Sequence, residues 1–236
     1  MLVGHVAVGL AGKRLAPQVS LGAMVLAALL ADLLWCAFLI AGIEHVEIVR
    51  RGARLMDSTV VSQIGWSHGL AAGLAWAVLL AGVIFAKIRN RKAALLAGAA
   101  VVSHWVLDFV SHNPDMPLFP GSGPLFGLGL WNSIPVTLVV EGGIWIVSIA
   151  LYLRATKTTG RTAAYVFWGG VILWTLAWYN NIAGPPPPSN MRAAATSSLI
   201  FFGLIVLWAN WMERLRKPGA AYGNRSSIRS MSSGAM

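Results

Sequence analysis

Residues 93–112 read AALLAGAAVVSHWVLDFVSH and follow directly on Arg91 and Lys92. The first ten residues are uncharged and apolar, and they lead into Ser103-His104-Trp105-Val106-Leu107-Asp108-Phe109-Val110-Ser111-His112. A helix rises about 1.5 Å per residue, and about 20 apolar residues cross the hydrocarbon of a bilayer. The stretch therefore predicts a membrane-spanning helix. His104 and Asp108 stand four positions apart, on one helical face. Ionisable groups inside a span are costly enough to require a reason.

The rest of the chain agrees with that setting. Of 236 residues, 57% are hydrophobic and 11% charged, against about 25% charged in soluble domains. The net charge of +10 does not mark a nucleic-acid-binding surface. The basic residues sit in short clusters between apolar runs, as in the cytoplasmic loops of membrane proteins. Cys36 is the single cysteine, so no intrachain disulfide can form.

Six apolar runs predict spans over 18–43, 66–88, 93–111, 132–153, 162–182 and 193–212. Residues 1–12 are apolar but too short to span, and predict an interfacial or re-entrant helix. The expected fold is an all-α polytopic transmembrane bundle over 1–213, with a basic, disordered cytoplasmic tail over 214–236. With the amino terminus inside, 14 of the 18 lysines and arginines fall on the inner side. The outer side then holds Arg50, Arg51, Arg54 and Arg192, and both termini are expected in the cytoplasm. Residues 44–65 mix both charge signs and predict an interfacial helix. Within them Asp57 and the arginines read as a headgroup-facing surface, or alternatively as a phosphate-recognising lid. The Gly184-Pro185-Pro186-Pro187-Pro188 run reads as a stiff connection.

Three acidic residues fall within spans: Asp32, Asp108 and Glu141. By helical rise, Asp32 lies about 20 Å and Asp108 about 22 Å from the inner starts of their spans, placing both in the outer half. His68 opens the second span at the same side, and His112 follows the third. Glu141 lies about 13 Å below its outer boundary, beside Gly142-Gly143. It is the candidate general base or ligand-orienting residue. Imidazole and carboxylate are ligands of zinc, manganese and iron. Their plain alternative is an interhelical hydrogen bond. Trp131, Trp178 and Tyr179 read as an interfacial aromatic belt, Ser133 as a helix cap ahead of Pro135, and Asn180-Asn181 as a span end. Ser67 adjoins His68, but neighbours on a helix diverge by about 100°, which argues against a serine nucleophile paired with that histidine. No phosphate-binding glycine loop, GxSxG or HExxH is present.

Gly4-His5, Ala31-Asp32, Ser67-His68-Gly69 and Ser103-His104-x-x-x-Asp108, with Pro114, Pro117 and Pro120 following, occur in that order. Over the first 125 or so residues this resembles the bacterial membrane-bound predicted metal-dependent hydrolases, whose pattern is an early GH, PDxDH, HRGxTHS and SHxxxD. The resemblance implies that His5, Asp32, His68, His104 and Asp108 ligate a divalent metal, with zinc or manganese foremost. The chain departs from the pattern at Ala31-Asp32-Leu33-Leu34-Trp35 and at Gln63-Ile64-Gly65, where His112 and Asp115 are the candidate replacements. The implied setting is the bacterial inner membrane and the implied activity metal-dependent hydrolysis; the height of the site at the membrane boundary would suit a lipid or lipid-linked ester or phosphoester substrate. The rival reading is a non-enzymatic transporter or assembly factor, or a family member that kept the fold and lost catalysis.

Overall fold

The computed structural model describes residues 1–50, 52–54, 59–121, 123–186 and 189–218. Arg51, Asp57, Pro187, Pro188 and the tail from 219 onward, all named above, lie outside the described residues. Caps and breakers divide the apolar sequence into helices. Ser20, Asn90 and Asn190 each accept the backbone N–H three residues on, meeting one of the open donors at a helix start. Gly42 ends a helix in the left-handed conformation at φ 73°. The resulting elements are α1 (Leu2–Leu15), α2 (Leu21–Ala28), α3 (Leu30–Ala41), α4 (Leu70–Ile88), α5 (Arg91–Ser111), α6 (Ile134–Ala155), α7 (Arg161–Ala183) and α8 (Met191–Leu215).

The chain is an all-α bundle suited to a bilayer. Among the described residues, four helices, α4, α5, α6 and α8, are long and apolar enough to cross a membrane. The pair α2 and α3, bent by 59° at Leu29, makes a fifth if it counts as one span. All six expected runs are helical, but α7 falls outside the four despite its 23 residues. Two tyrosines, two asparagines and an arginine dilute its apolar character. Outward residues such as Val78 and Val139, each 74% exposed, present hydrocarbon on the helix surfaces, as lipid contact requires.

The expected helix over 44–65 is instead an antiparallel pair, β1 (His45–Arg50) with β2 (Thr59–Gln63). Its β-branched residues Val46, Ile48, Val49, Thr59, Val60 and Val61 favour strand over helix. Two further short pairs, β3 (Met116–Pro117) with β4 (Leu125–Phe126) and β5 (Thr156–Thr158) with β6 (Arg216–Pro218), tie loops at opposite ends. Ser133 occupies the cap position of α6, but its side chain makes no capping hydrogen bond. Its carbonyl accepts from Thr137 instead.

α1 does not lie along the surface. Val3, Gly4, His5, Val6, Ala7, Gly9, Leu10, Gly12 and Lys13 are all buried, and the helix packs against α6, α2 and α5. Gly9 makes this possible: a Cβ there would stand 2.6 Å from Val25 Cγ2 and 2.8 Å from its Cα. At one end of α1, Lys13 Nζ donates to Pro17 O, Val19 O and Glu213 Oε1, at 3.0, 3.1 and 2.6 Å. At the other, the Met1 amino group meets Asp108. The amino terminus is therefore inside the bundle, which brings His5 to the polar cluster.

Candidate metal centre

Each helix delivers its polar group for a local reason. The break at Leu29 starts α3 anew, so Asp32 falls in a first turn, where a carboxylate is favoured by the helix dipole. The same break leaves Ala28 as the last residue of α2, and its carbonyl accepts His104 Nδ1–H at 2.8 Å. Residues 65–67 form a turn ahead of α4, and His68 follows it. His104 and Asp108 share one face of α5, as their spacing predicts, and both are buried.

These groups converge. His104 Nε2 lies 3.1 Å from Asp108 Oδ2 and 3.8 Å from Asp32 Oδ1. His68 Nε2 lies 3.8 Å from each of the same two oxygens. The ring of His5 stacks on that of His104 at 3.7 Å with a 7° interplanar angle. Asp108 divides its work: Oδ1 takes the Met1 amino group at 2.5 Å and His5 Nε2 at 3.0 Å, leaving Oδ2 for the other two histidines. Two overlapping triads have the spacing to hold an ion, His68–His104–Asp108 and His5–Asp32–His104. With ligand bonds of about 2.1 Å, neighbouring ligands of a tetrahedral ion stand about 3.4 Å apart. The first triad brackets that value.

The protons matter as much as the distances. A carbonyl only accepts, so His104 carries its proton on Nδ1, and in the neutral ring Nε2 bears a lone pair. His104 Nε2 is buried without a hydrogen-bond partner among the described residues, although Asp108 Oδ2 is 3.1 Å away. In the neutral ring that atom has no proton to donate, whereas an imidazolium would direct one at Asp108 Oδ2. His68 is oriented similarly. Ser67 Oγ–H donates to Glu44 Oε2 at 2.6 Å, so Ser67 accepts from His68 Nδ1–H at 2.8 Å. Two lone pairs and a carboxylate oxygen thus face one another in a buried space. Such a set repels unless a cation or a shared proton lies between.

The contact between Ser67 and His68 corrects the expectation that neighbours diverge. It fails because these residues sit in a turn, not on a helix. The hydroxyl hydrogen goes to Glu44, so Ser67 is not activated as a nucleophile. Glu44, 1% exposed, also accepts the backbone N–H groups of Trp66 and Ser67 at 2.9 and 2.8 Å. Beside His68 and His104 is a cavity of about 10 Å³ walled partly by Gly73, Trp76 and Trp105, near the smallest that holds one water.

Three residues expected at the site, Glu141, His112 and Asp115, belong to neither triad. Glu141 is fully buried, but Oε1 accepts Trp131 Nε1–H at 2.7 Å and Oε2 accepts Trp178 Nε1–H at 2.9 Å. Both oxygens are occupied, and Glu141 is in neither triad. The same bonds give Trp131 and Trp178 a partner on α6. His112 pairs with Asp115 at 3.1 Å and packs on Trp131 at 4.4 Å, so these two do not replace missing ligands. Glu44, the Ser67 hydroxyl, the Ala28 carbonyl and the Met1 amino group were not foreseen. The first sat in a loop of mixed charge, and the other three are contacts that no residue spacing announces.

The architecture and site together define a membrane-embedded helical bundle with a buried histidine–aspartate cluster near one end. Comparison with protein-family models, with curated proteins and with solved structures finds no match.

Proposed function

We propose that the chain is a bacterial inner-membrane protein that holds a divalent metal, zinc or manganese, on His68, His104 and Asp108. Its proposed activity is hydrolysis of a lipid or lipid-linked ester or phosphoester. The observation that carries this reading is the pair of Nε2 lone pairs turned onto Asp108 Oδ2, with both Nδ1 protons committed elsewhere. Metal-binding histidines are held in this way by a second hydrogen bond behind the ring. The nitrogen–oxygen donor set suits zinc or manganese, and the resemblance to the predicted metal-dependent hydrolases points the same way.

When bound, such a metal lowers the pKa of water and polarises the ester oxygen. The chain's own residues do the rest. Asp32, 17% exposed on its side chain and 3.8 Å from both Nε2 atoms, completes the donor set or takes the proton of the attacking water. His5 holds the His104 ring by stacking, and α1 closes the centre to water from below. Lys13, the β5–β6 pair and the α4–α5 turn gather basic residues at the end away from His68 and His112. That distribution supports a cytoplasmic basic end and a centre towards the outer leaflet.

The Met1 amino group on Asp108 favours a second reading, in which protons alone neutralise the cluster and the protein is a non-enzymatic membrane component. Elemental analysis of purified protein separates the two. The metal reading expects about one zinc or manganese per chain, following the single set of ligands, and its loss in His104→Ala. Wild-type protein with no stoichiometric metal overturns it.

A further inference from the structure

The outer β-hairpin reaches the centre through one residue, Glu44, which follows the left-handed Gly42 at the end of α3. Its carboxylate is 1% exposed and spends all its capacity on the turn that carries His68. Oε1 takes two backbone N–H groups, and Oε2 takes the Ser67 hydroxyl at 2.6 Å. Ser67 Oγ in turn faces His68 Nδ1 at 2.8 Å. An ionised carboxylate has no proton to give, and a hydroxyl has one. The direction of every bond in Glu44–Ser67–His68 is thereby set.

We propose that Glu44 and Ser67 are positioning residues that hold His68 in its Nδ1–H form, keeping the Nε2 lone pair turned into the centre. The metal-binding consequence rests on the function proposed above, but the tautomer does not. The arrangement differs from a serine nucleophile beside its base, because the hydroxyl hydrogen points away from the imidazole. It also explains the burial of a glutamate that touches no ligand atom. The alternative acceptor for the hydroxyl is Ile64 O at 3.3 Å, a longer and weaker bond than the one to Glu44.

Glu44→Gln tests the direction of the chain without changing its shape. With the amide oxygen on the two backbone N–H groups, the amide nitrogen donates to Ser67 Oγ. The Ser67 hydrogen then turns to His68 Nδ1, and the His68 proton moves to Nε2. Ser67→Ala removes the link, while Ser67→Thr keeps the hydroxyl and controls for folding. Two measurements read the outcome. Nitrogen NMR of histidine-labelled protein in detergent, with His68→Gln to assign the signal, reports which ring nitrogen of His68 is protonated. Chelator competition reports the affinity for zinc.

The expected result is Nδ1–H in wild type and Ser67→Thr, with Nε2–H populated in Glu44→Gln and Ser67→Ala. Zinc affinity in the latter two should fall about 10–100-fold, as for lost outer hydrogen bonds elsewhere. An unchanged His68 proton position in both Glu44→Gln and Ser67→Ala overturns the proposal, whether or not zinc binds. A wild type that shows Nδ1–H on His68 and binds no zinc sustains the positioning role and overturns the metal reading alone.

Discussion

Asp108 and Glu141 are both carboxylates buried inside the bundle, yet their partners differ. Each oxygen of Glu141 receives one indole N–H, so its environment is complete and joins α6, α7 and the Trp131 turn. Asp108 has one oxygen against the Met1 amino group and His5, and the other faces His104 Nε2 at 3.1 Å and His68 Nε2 at 3.8 Å, which carry lone pairs in the neutral Nδ1–H rings. Burial alone therefore does not mark function here. The two carboxylates differ in their partners: Glu141 meets indole donors, whereas Asp108 joins an ammonium and three imidazoles.

Asp108→Asn should break this contrast most severely. The amide cannot balance the Met1 ammonium, and stranding one member of a buried ion pair costs about 3–5 kcal/mol. Thermal unfolding in detergent and metal analysis should show both a large loss of stability and loss of bound metal. A stable Asp108→Asn protein that retains metal would remove Asp108 from the centre.

Glu141→Gln should have a smaller effect of a different kind. One amide face is a donor, so either Trp131 or Trp178 loses its acceptor, an unsatisfied buried group worth about 1–3 kcal/mol. Stability should fall while metal content stays at the wild-type level. Loss of metal with unchanged stability would instead place Glu141 in the centre, as its sequence position had indicated.

The contrast also shows what could be read from the sequence. Apolar run lengths are local properties, and all six runs are helical. The His104–Asp108 face follows from helical periodicity, and the convergence of Asp32 and His68 follows from comparing heights along spans. Other features depend on contacts between distant segments. Run length does not place His5, because a short apolar segment carries no signal for insertion; Gly9 against Val25, and Lys13 against Glu213 some 200 positions away, draw α1 into the core. Glu141 looked catalytic because an intramembrane acid demands partners, and indole donors are hard to distinguish from belt tryptophans by position. Ser67 was misjudged because the helix was started too early, which hid the turn that lets it reach His68.

His5→Phe sharpens the comparison further. Phenylalanine keeps a ring to stack on His104 but loses the bond to Asp108 Oδ1, worth about 0.5–1.5 kcal/mol. His5 Nδ1 has no hydrogen-bond partner among the described residues, and its Nε2 either donates to Asp108 Oδ1 at 3.0 Å or accepts from the Met1 amino group at 3.1 Å. If His5 only supports the centre, His5→Phe should still bind metal, with affinity reduced about tenfold as for an outer hydrogen bond. Complete loss of metal in equilibrium dialysis would make His5 a ligand and favour the triad with Asp32.

His112→Gln should have the smallest effect. His112 follows α5 only four residues after Asp108, yet its side chain is 21% exposed and turned to Asp115. Its contact with Trp131 links it to the Glu141 side of the molecule, where the hydrogen bonds are complete. Glutamine can still reach the carboxylate of Asp115, so the change in stability should stay within about 0.5 kcal/mol, as at other partly exposed positions. Metal content should not change at all. A His112→Gln protein that lost metal would mean that the two buried carboxylates share one site through Trp131, and the division between a satisfied and an unsatisfied region would fail.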